Sequence, residues 1–204
     1  MTQPSEISSD VAFTPAVKAI QTRKGSRHAY ARMEQSGGWD TRITDDLAAF
    51  IREQISVFLA TANAAGQPYM QHRGGPPGFL HVVDDRTIAF ADFRGNRQYI
   101  TLGNLTENPK AQLFLIDYAE QRRVKIWGEA KVVENDTGLL AELMPAGYKA
   151  QGEQAIVFSV DAWDENCSKH IPQRLEAADV ARALAERDRR IVEREQEVAR
   201  LEAR

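Results

Sequence analysis

A single cysteine, Cys167, stands in 204 residues. One thiol excludes an intramolecular disulfide and a zinc site built on several cysteines. It fits a reducing compartment, and a cytoplasmic chain is expected. The histidines His28, His72, His81 and His170 are scattered, and none stands in a metal-binding spacing such as H-E-x-x-H, so no metal site is expected. No apolar run reaches the roughly 18 residues that a membrane helix needs. The opening MTQPSEISSD lacks the basic-then-apolar pattern of a signal peptide, and no membrane partner is expected. The formal net charge is only −3, far from the basic balance of a nucleic-acid-binding domain. Any phosphate-bearing ligand must therefore be held by a local basic cluster. The G-x-G-x-x-G fingerprint and the G-x-x-x-x-G-K-[ST] loop are both absent, which leaves nicotinamide at most the part of a transient donor.

Hydrophobic residues make up 43% and charged residues 27%, ordinary for a globular chain of one domain with a small appendage. Three zones differ in texture. Residues 1–43 are polar, with a Gly37-Gly38 break, and read as an arm or a pair of short helices on the body. Residues 44–171 form that body. Thr44, Asp45 and Asp46 suit a helix start, a capping hydroxyl followed by acids at the positive end of the dipole, and Leu47, Phe50, Ile51 and Ile55 give the helical stripe. Short apolar runs bounded by turn residues follow, at 57–61, 68–73, 79–83, 87–91, 111–118, 122–133 and 156–163. Helices are expected only over 96–106, stopped by Asn108-Pro109, and over 136–144. Short strands joined by tight turns argue for an antiparallel barrel, not a parallel α/β order.

Residues 172–204 alternate acids and arginines around Val180, Leu184, Ile191, Val198 and Leu201, with Pro172 expected near the start of a long amphipathic helix. Arg187 and Arg194 interrupt the other core positions of a coiled coil. Two readings stand for this helix: dimer formation, or a solvated helix laid on the barrel.

The segment with chemical content is Phe90-Ala91-Asp92-Phe93-Arg94-Gly95-Asn96-Arg97-Gln98. It leaves a strand, turns through Gly95 and enters a helix, whose unpaired N–H groups suit a phosphate. Arg97 can pair with phosphate oxygens through charge-assisted hydrogen bonds, Asn96 can donate a neutral one, and Arg94 adds charge. The plain alternative is a solvated loop carrying two arginines.

The order of segments resembles the pyridoxamine 5′-phosphate oxidase-like flavoproteins. The matching pieces are Gln71-His72-Arg73, Phe90 to Gln98, Glu107-Asn108-Pro109, Ala111 to Tyr118 and Arg122-Arg123-Val124-Lys125-Ile126-Trp127-Gly128. The likeness covers roughly residues 56–135, and more weakly 155–174. It implies a mainly β fold, an antiparallel six-stranded split β-barrel with flanking helices and a long C-terminal helix, binding FMN at a homodimer interface. On this resemblance Arg73 faces the flavin and its phosphate, while Asn96, Arg97 and Gln98 hold the phosphate. Arg123 takes the place of a flavin-contacting Gln and is reached from the partner subunit. Trp163 and Arg174 fall near the flavin, and Lys169 and His170 near the substrate. Gln98 stands where the family pattern has Lys, and Gly74-Gly75-Pro76-Pro77-Gly78 replaces an apolar run beside the flavin, so pyridoxamine phosphate is not the expected substrate. His72, alternating with Arg73 along a strand, and Cys167 are read as structural. The implied activity is FMN-dependent redox chemistry on a small organic molecule, with no catalytic residue assigned. The alternative is a non-catalytic module of the same fold carrying flavin, deazaflavin (F420) or haem.

Overall fold

The structure, a computed structural model, describes residues 7–203. Residues 1–6 and 204, the ends of the expected arm and C-terminal helix, lie outside them. The chain divides into two units: Met1–Ile116 with Arg123–Cys167, and Asp117–Arg122 with Ser168–Arg204.

The first unit opens with a 3-10 turn (Ser8–Val11) and helices α1 (Pro15–Lys24) and α2 (Arg27–Gln35). The Thr14 hydroxyl accepts from the Val17 N–H at 3.3 Å, Pro15 occupies the first helical position, and Gly25 closes α1 in a left-handed conformation, φ 80°. Trp39 then stacks on Trp127 of the sheet with ring centroids 4.6 Å apart. Helix α3 (Asp45–Glu53) begins where the sequence reading puts it. Thr44 accepts from the Leu47 N–H at 3.2 Å, and Leu47, Phe50 and Ile51 are buried. Ile55, expected on the same stripe, falls beyond the helix and is 47% exposed.

The strands are β1 (Ser56–Ala62), β2 (Pro68–Gly74), β3 (His81–Asp84), β4 (Thr87–Phe93), β5 (Lys110–Asp117), β6 (Arg122–Val133) and β7 (Gly152–Asn166), with α4 (Ile100–Glu107) and α5 (Thr137–Leu143) inserted. They form one antiparallel sheet of seven strands, order β2-β1-β5-β6-β7-β4-β3. Among the described residues the sheet has seven strands, one for each of the seven apolar runs; the resemblance implies six in the barrel, and the four-residue β3 pairs with β4 at the sheet's edge. Period-two positions of β1, β4, β5, β6 and β7 (Val57, Leu59, Ile88, Phe90, Leu113, Leu115, Val124, Ile126, Ile156 and Phe158) share one core with α3. The sheet therefore curls around that core as a split barrel. Strand β4 is buried on both faces. Ile88 and Phe90 enter the core, whereas Ala89 and Ala91 meet Ala155 and Leu143 of α5. Small residues there let the helix approach closely.

Two β-bulges in β7 set what its residues face. Trp127 pairs with Ala162 but Gly128 pairs with Val160, so Asp161 is passed over. Beyond this bulge the faces exchange: Ile156, Phe158 and Val160 point into the core below it, and Trp163, opposite Ile126, does so above it. Gly128 marks the crossing, because a Cβ there would overlap the Ser159 carbonyl oxygen. The second bulge passes over Glu153, between the pairs Asp92–Gln154 and Phe93–Gly152.

In the second unit the Asp117 carboxylate accepts from the N–H groups of Ala119 and Glu120, at 2.8 and 2.9 Å, and shapes the turn. The segment after Ser168 bonds to that turn: the Gln121 amide donates to the Ile171 carbonyl, the Gln173 amide to the Ala119 carbonyl, and the Arg174 N–H to the Tyr118 carbonyl. These bonds hold Pro172 outside any helix, and α6 starts later than expected, at Ala177, and runs to Glu202. None of its residues is buried. No described helix is long and apolar enough to cross a membrane.

Substituting Gly128 by Ala is expected to destabilise the fold by about 3 kcal/mol or more, measured by chemical denaturation. A loss under about 1 kcal/mol would show that the β6–β7 approach is looser than described.

Candidate functional site

Two adjoining hollows share Gln71, Arg73, Phe93 and Gly95 and form one cleft beside the β4–α4 connection. One has about 350 Å³ of space open to solvent and also reaches Asn96, Arg97, Gln98 and the first residues of α4; its neighbour has about 470 Å³. The connection is not the simple helix start read from the sequence. Arg97 and Tyr99 both adopt left-handed backbone, φ 60° and 54°, so α4 begins at Ile100 instead of Asn96. Each such conformation costs a non-glycine residue about 1–2 kcal/mol, and two within three residues define a turn that the rest of the fold must impose. The Asn96 carboxamide oxygen accepts from the Gln98 N–H at 3.2 Å, and the Arg97 Nε donates to the Tyr99 hydroxyl at 2.8 Å. That bond, with the charges of Tyr99 and Glu153, raises the Arg97 guanidinium above its ordinary pKa. The turn thus leads into the free N–H groups of Ile100, Thr101 and Leu102, all of which line the cleft.

Behind the turn lies a buried polar cluster. Arg73, at the end of β2, forms an ion pair with Asp92 of β4; their side chains are 14% and 5% exposed. The Gln154 amide, directly across the β4–β7 ladder, donates to the second Asp92 oxygen at 2.6 Å. Burial pushes the Asp92 carboxyl above its ordinary pKa, against the opposing pull of Arg73 and Gln154. Glu153, released from the ladder by its bulge, approaches Arg94 at 3.7 Å and Arg97 at 3.9 Å. Neither this ion-pair cluster nor the bulge that frees Glu153 is legible in the sequence, since both depend on pairings remote along the chain.

The residues singled out from the sequence fall into separate places. Arg73, Asn96, Arg97 and Gln98 share the cleft. Arg123, at the start of β6, pairs with Asn166 at the far end of β7, whereas the cleft is level with Gln154; the separation is about 40 Å of strand. Arg123 donates to the Cys167 carbonyl at 3.3 Å. Trp163 packs against the main core, and its indole N–H donates to the Arg42 carbonyl at 2.8 Å, so only the ring is left for a ligand. In the second unit the Arg174 guanidinium lies 4.6 Å from the Tyr118 ring centroid, while Lys169 and His170 are exposed. His72 points to the outer face and hydrogen-bonds to Ser56 at 2.8 Å.

The donor set fits a flavin phosphate. Arg73 Nε is buried without a partner beside the cleft, and nothing lies within 4 Å of a Cβ built on Gly95, so the turn leaves room above its backbone. A second, larger hollow near the N-terminal segment, about 1300 Å³ and open to solvent, offers no comparable cradle. Its cation, Lys110, is engaged by Glu129 at 2.9 Å and Asp161 at 3.5 Å.

The family model described as pyridoxamine 5′-phosphate oxidase matches residues 43–167. No curated protein matched the chain. Among solved structures, a putative pyridoxamine 5′-phosphate oxidase from Lactobacillus delbrueckii is similar at 20% identity, over 61% of this chain and 95% of that one, TM-score 0.46. An FMN-binding protein from Syntrophomonas wolfei is similar at 13% identity, over 72% and 97%, TM-score 0.45. The haem storage protein HutZ from Vibrio cholerae is similar at 18% identity, over 58% and 90%, TM-score 0.42.

Replacing Arg97 by Gly is expected to relieve the left-handed strain and stabilise the protein by about 1 kcal/mol, raising Tm by about 2–4 °C in calorimetry; an unchanged or lower Tm would show that the turn is not strained. For Asp92, the native carboxyl titrates above 3.8. Its protonated form therefore favours the fold, and this contribution fades as pH rises from about 3.8 through the native value. Carbon-13 NMR titration of Asp92 reads the direction, and a value below 3.8 would reverse it.

Proposed function

Because this chain belongs to the pyridoxamine 5′-phosphate oxidase family, we propose that its cleft binds FMN and that the protein carries out redox chemistry on a small organic molecule. The observation that carries the reading is the strained Asn96–Tyr99 turn, which sets Arg97 and the free N–H groups of α4 beside the buried Arg73. A phosphate placed there accepts from the guanidinium and from backbone donors, and the positive end of the α4 dipole favours its charge. Tyr99 holds the Arg97 side chain in place through its hydroxyl. Asn96 adds a carboxamide whose oxygen is already fixed by the Gln98 N–H, which leaves its amino group as a donor. Bound FMN supplies the electron transfer, and the protein supplies binding, orientation and electrostatics.

The proposal includes a homodimer. Arg123 of β6 pairs too far along β7 to reach its own chain's cleft, and a second copy offers the route by which it meets the ring. Gly74 and Phe79 line the adjoining hollow, where a substrate would lie against the ring. The Gly-Pro-rich loop between them folds back on α3: the Gly75 N–H donates to the Ile55 carbonyl at 3.1 Å and the Gly78 N–H to the Arg52 carbonyl at 2.7 Å.

The test is the visible spectrum of freshly purified protein, followed by chromatography of what heat releases. A yellow protein yielding FMN is expected, and Arg97→Ala is expected to lose FMN by at least about tenfold in Kd while keeping its fold. A haem or deazaflavin spectrum would transfer the cleft to another cofactor. Protein that neither carries nor takes up FMN would overturn the reading.

A further inference from the structure

The cleft contains more negative charge than a phosphate site needs. Arg73, Arg94 and Arg97 are accompanied by Asp92 and Glu153. The two acids differ in kind. Glu153 stands beside two partly exposed arginines, where solvent screens it. Asp92 is nearly closed off from water and lies against Arg73, in a place where charges are screened far less. Nothing in the barrel's apolar packing demands a carboxylate there. Gln154, its opposite number on β7, donates to one oxygen, Arg73 meets the other, and β4 continues from Asp92 into the phosphate-reading turn.

We propose, building on the FMN reading of this cleft, that Asp92 is a specificity-determining residue that offsets the charge of Arg73, so that a ligand's phosphate is read by the Asn96–Tyr99 turn and Arg73 serves the ligand as a hydrogen-bond donor to an uncharged acceptor. The placement supports this division. Arg97 is 55% exposed at the mouth, free to meet a charged group that keeps part of its hydration, whereas Arg73 lies at the floor with a buried Nε lacking any partner. A cleft with an uncompensated Arg73 would favour any anion; with Asp92 in place the local charge falls and discrimination passes to the shape of the turn.

The experiment compares the affinities of FMN and riboflavin, two ligands that differ by the phosphate alone, for the full-length protein stripped of bound cofactor, at low and at moderate salt. Asp92→Asn keeps the size of the side chain and an acceptor for Gln154 while removing the charge. The expected result is tighter FMN with riboflavin little changed, so that the preference for FMN rises about tenfold at low salt and less at moderate salt. A preference that stays constant, with both flavins weakened alike, assigns Asp92 a structural role only and overturns the proposal. Where Asp92→Asn fails to fold, the pair Arg73→Gln and Asp92→Asn in one chain supplies the test, because it removes both charges together. It is expected to keep the wild-type preference for FMN to within about threefold, and a loss of that preference would make Arg73 itself the phosphate's ligand. Wild-type protein that binds neither flavin overturns the FMN reading and this proposal with it, whereas wild-type binding with an unmoved preference in Asp92→Asn, or a lost preference in the double variant, overturns this proposal alone.

Discussion

A guanidinium from β2 and a carboxylate from β4 meet where water scarcely reaches, and much of the barrel is arranged about that meeting. The two strands are not neighbours in the sheet; β1, β5, β6 and β7 lie between them. Their side chains touch because the sheet has curled until its margins face each other. An ion pair in such a place is a poor source of net stability, since desolvation offsets most of the Coulombic attraction. It is better understood as fixing register at the seam. Arg73 closes one margin, Asp92 the other, and Gln154 locks Asp92 from across the ladder. The cleft opens beside this seam, so the same contact that closes the barrel also shapes the floor of the site.

The split between what the sequence displays and what it conceals follows from the range of the forces involved. Thr44 and the acids after it announce α3, because capping and dipole effects act within one turn. Core strands such as Val57–Thr61 and Thr87–Ala91 announce themselves by apolar runs between turn residues. The start of α4 does not, because Arg97 and Tyr99 hold backbone conformations that arginine and tyrosine seldom adopt, and nothing in their chemistry advertises it. Pro172 suggested a helix start that the bonds of Ile171, Gln173 and Arg174 to the 117–122 turn override. The cleft residues Asn96, Arg97 and Gln98 are visible in the sequence as a local cluster. The Asp92–Arg73–Gln154 cluster is not, since it is assembled from three strands with no proximity in sequence.

The layout also distributes duties along β7. One end, at Gln154, stands beside the cleft; the other, near Trp163, takes up the N-terminal arm, with the Asp40–Trp163 bridge and the Trp163 bond to Arg42. The arm's Trp39 stacks on Trp127 nearby, and Phe13 lies 4.9 Å from Trp39. Large aromatic surfaces there are covered by the chain's own N-terminal segment, so this end is organised for packing, whereas the other presents charge and hydrogen-bond donors.

The bulge at Asp161 acts on β7 as a reading frame acts on a message. Residues on either side of it obey the same alternation but in opposite phase, Val160 and Trp163 both turning inward although three positions separate them. Side chains along the strand can therefore be exchanged one at a time with local effects. Loss of the passed-over Asp161 alone would restore plain alternation and keep both Val160 and Trp163 inward, whereas the loss or gain of a residue well away from the bulge would transpose every position beyond it. Away from the bulge, length is thus more tightly constrained than identity, and divergence among chains sharing this strand should proceed by substitution, with insertions and deletions displaced to the bulge and the loops.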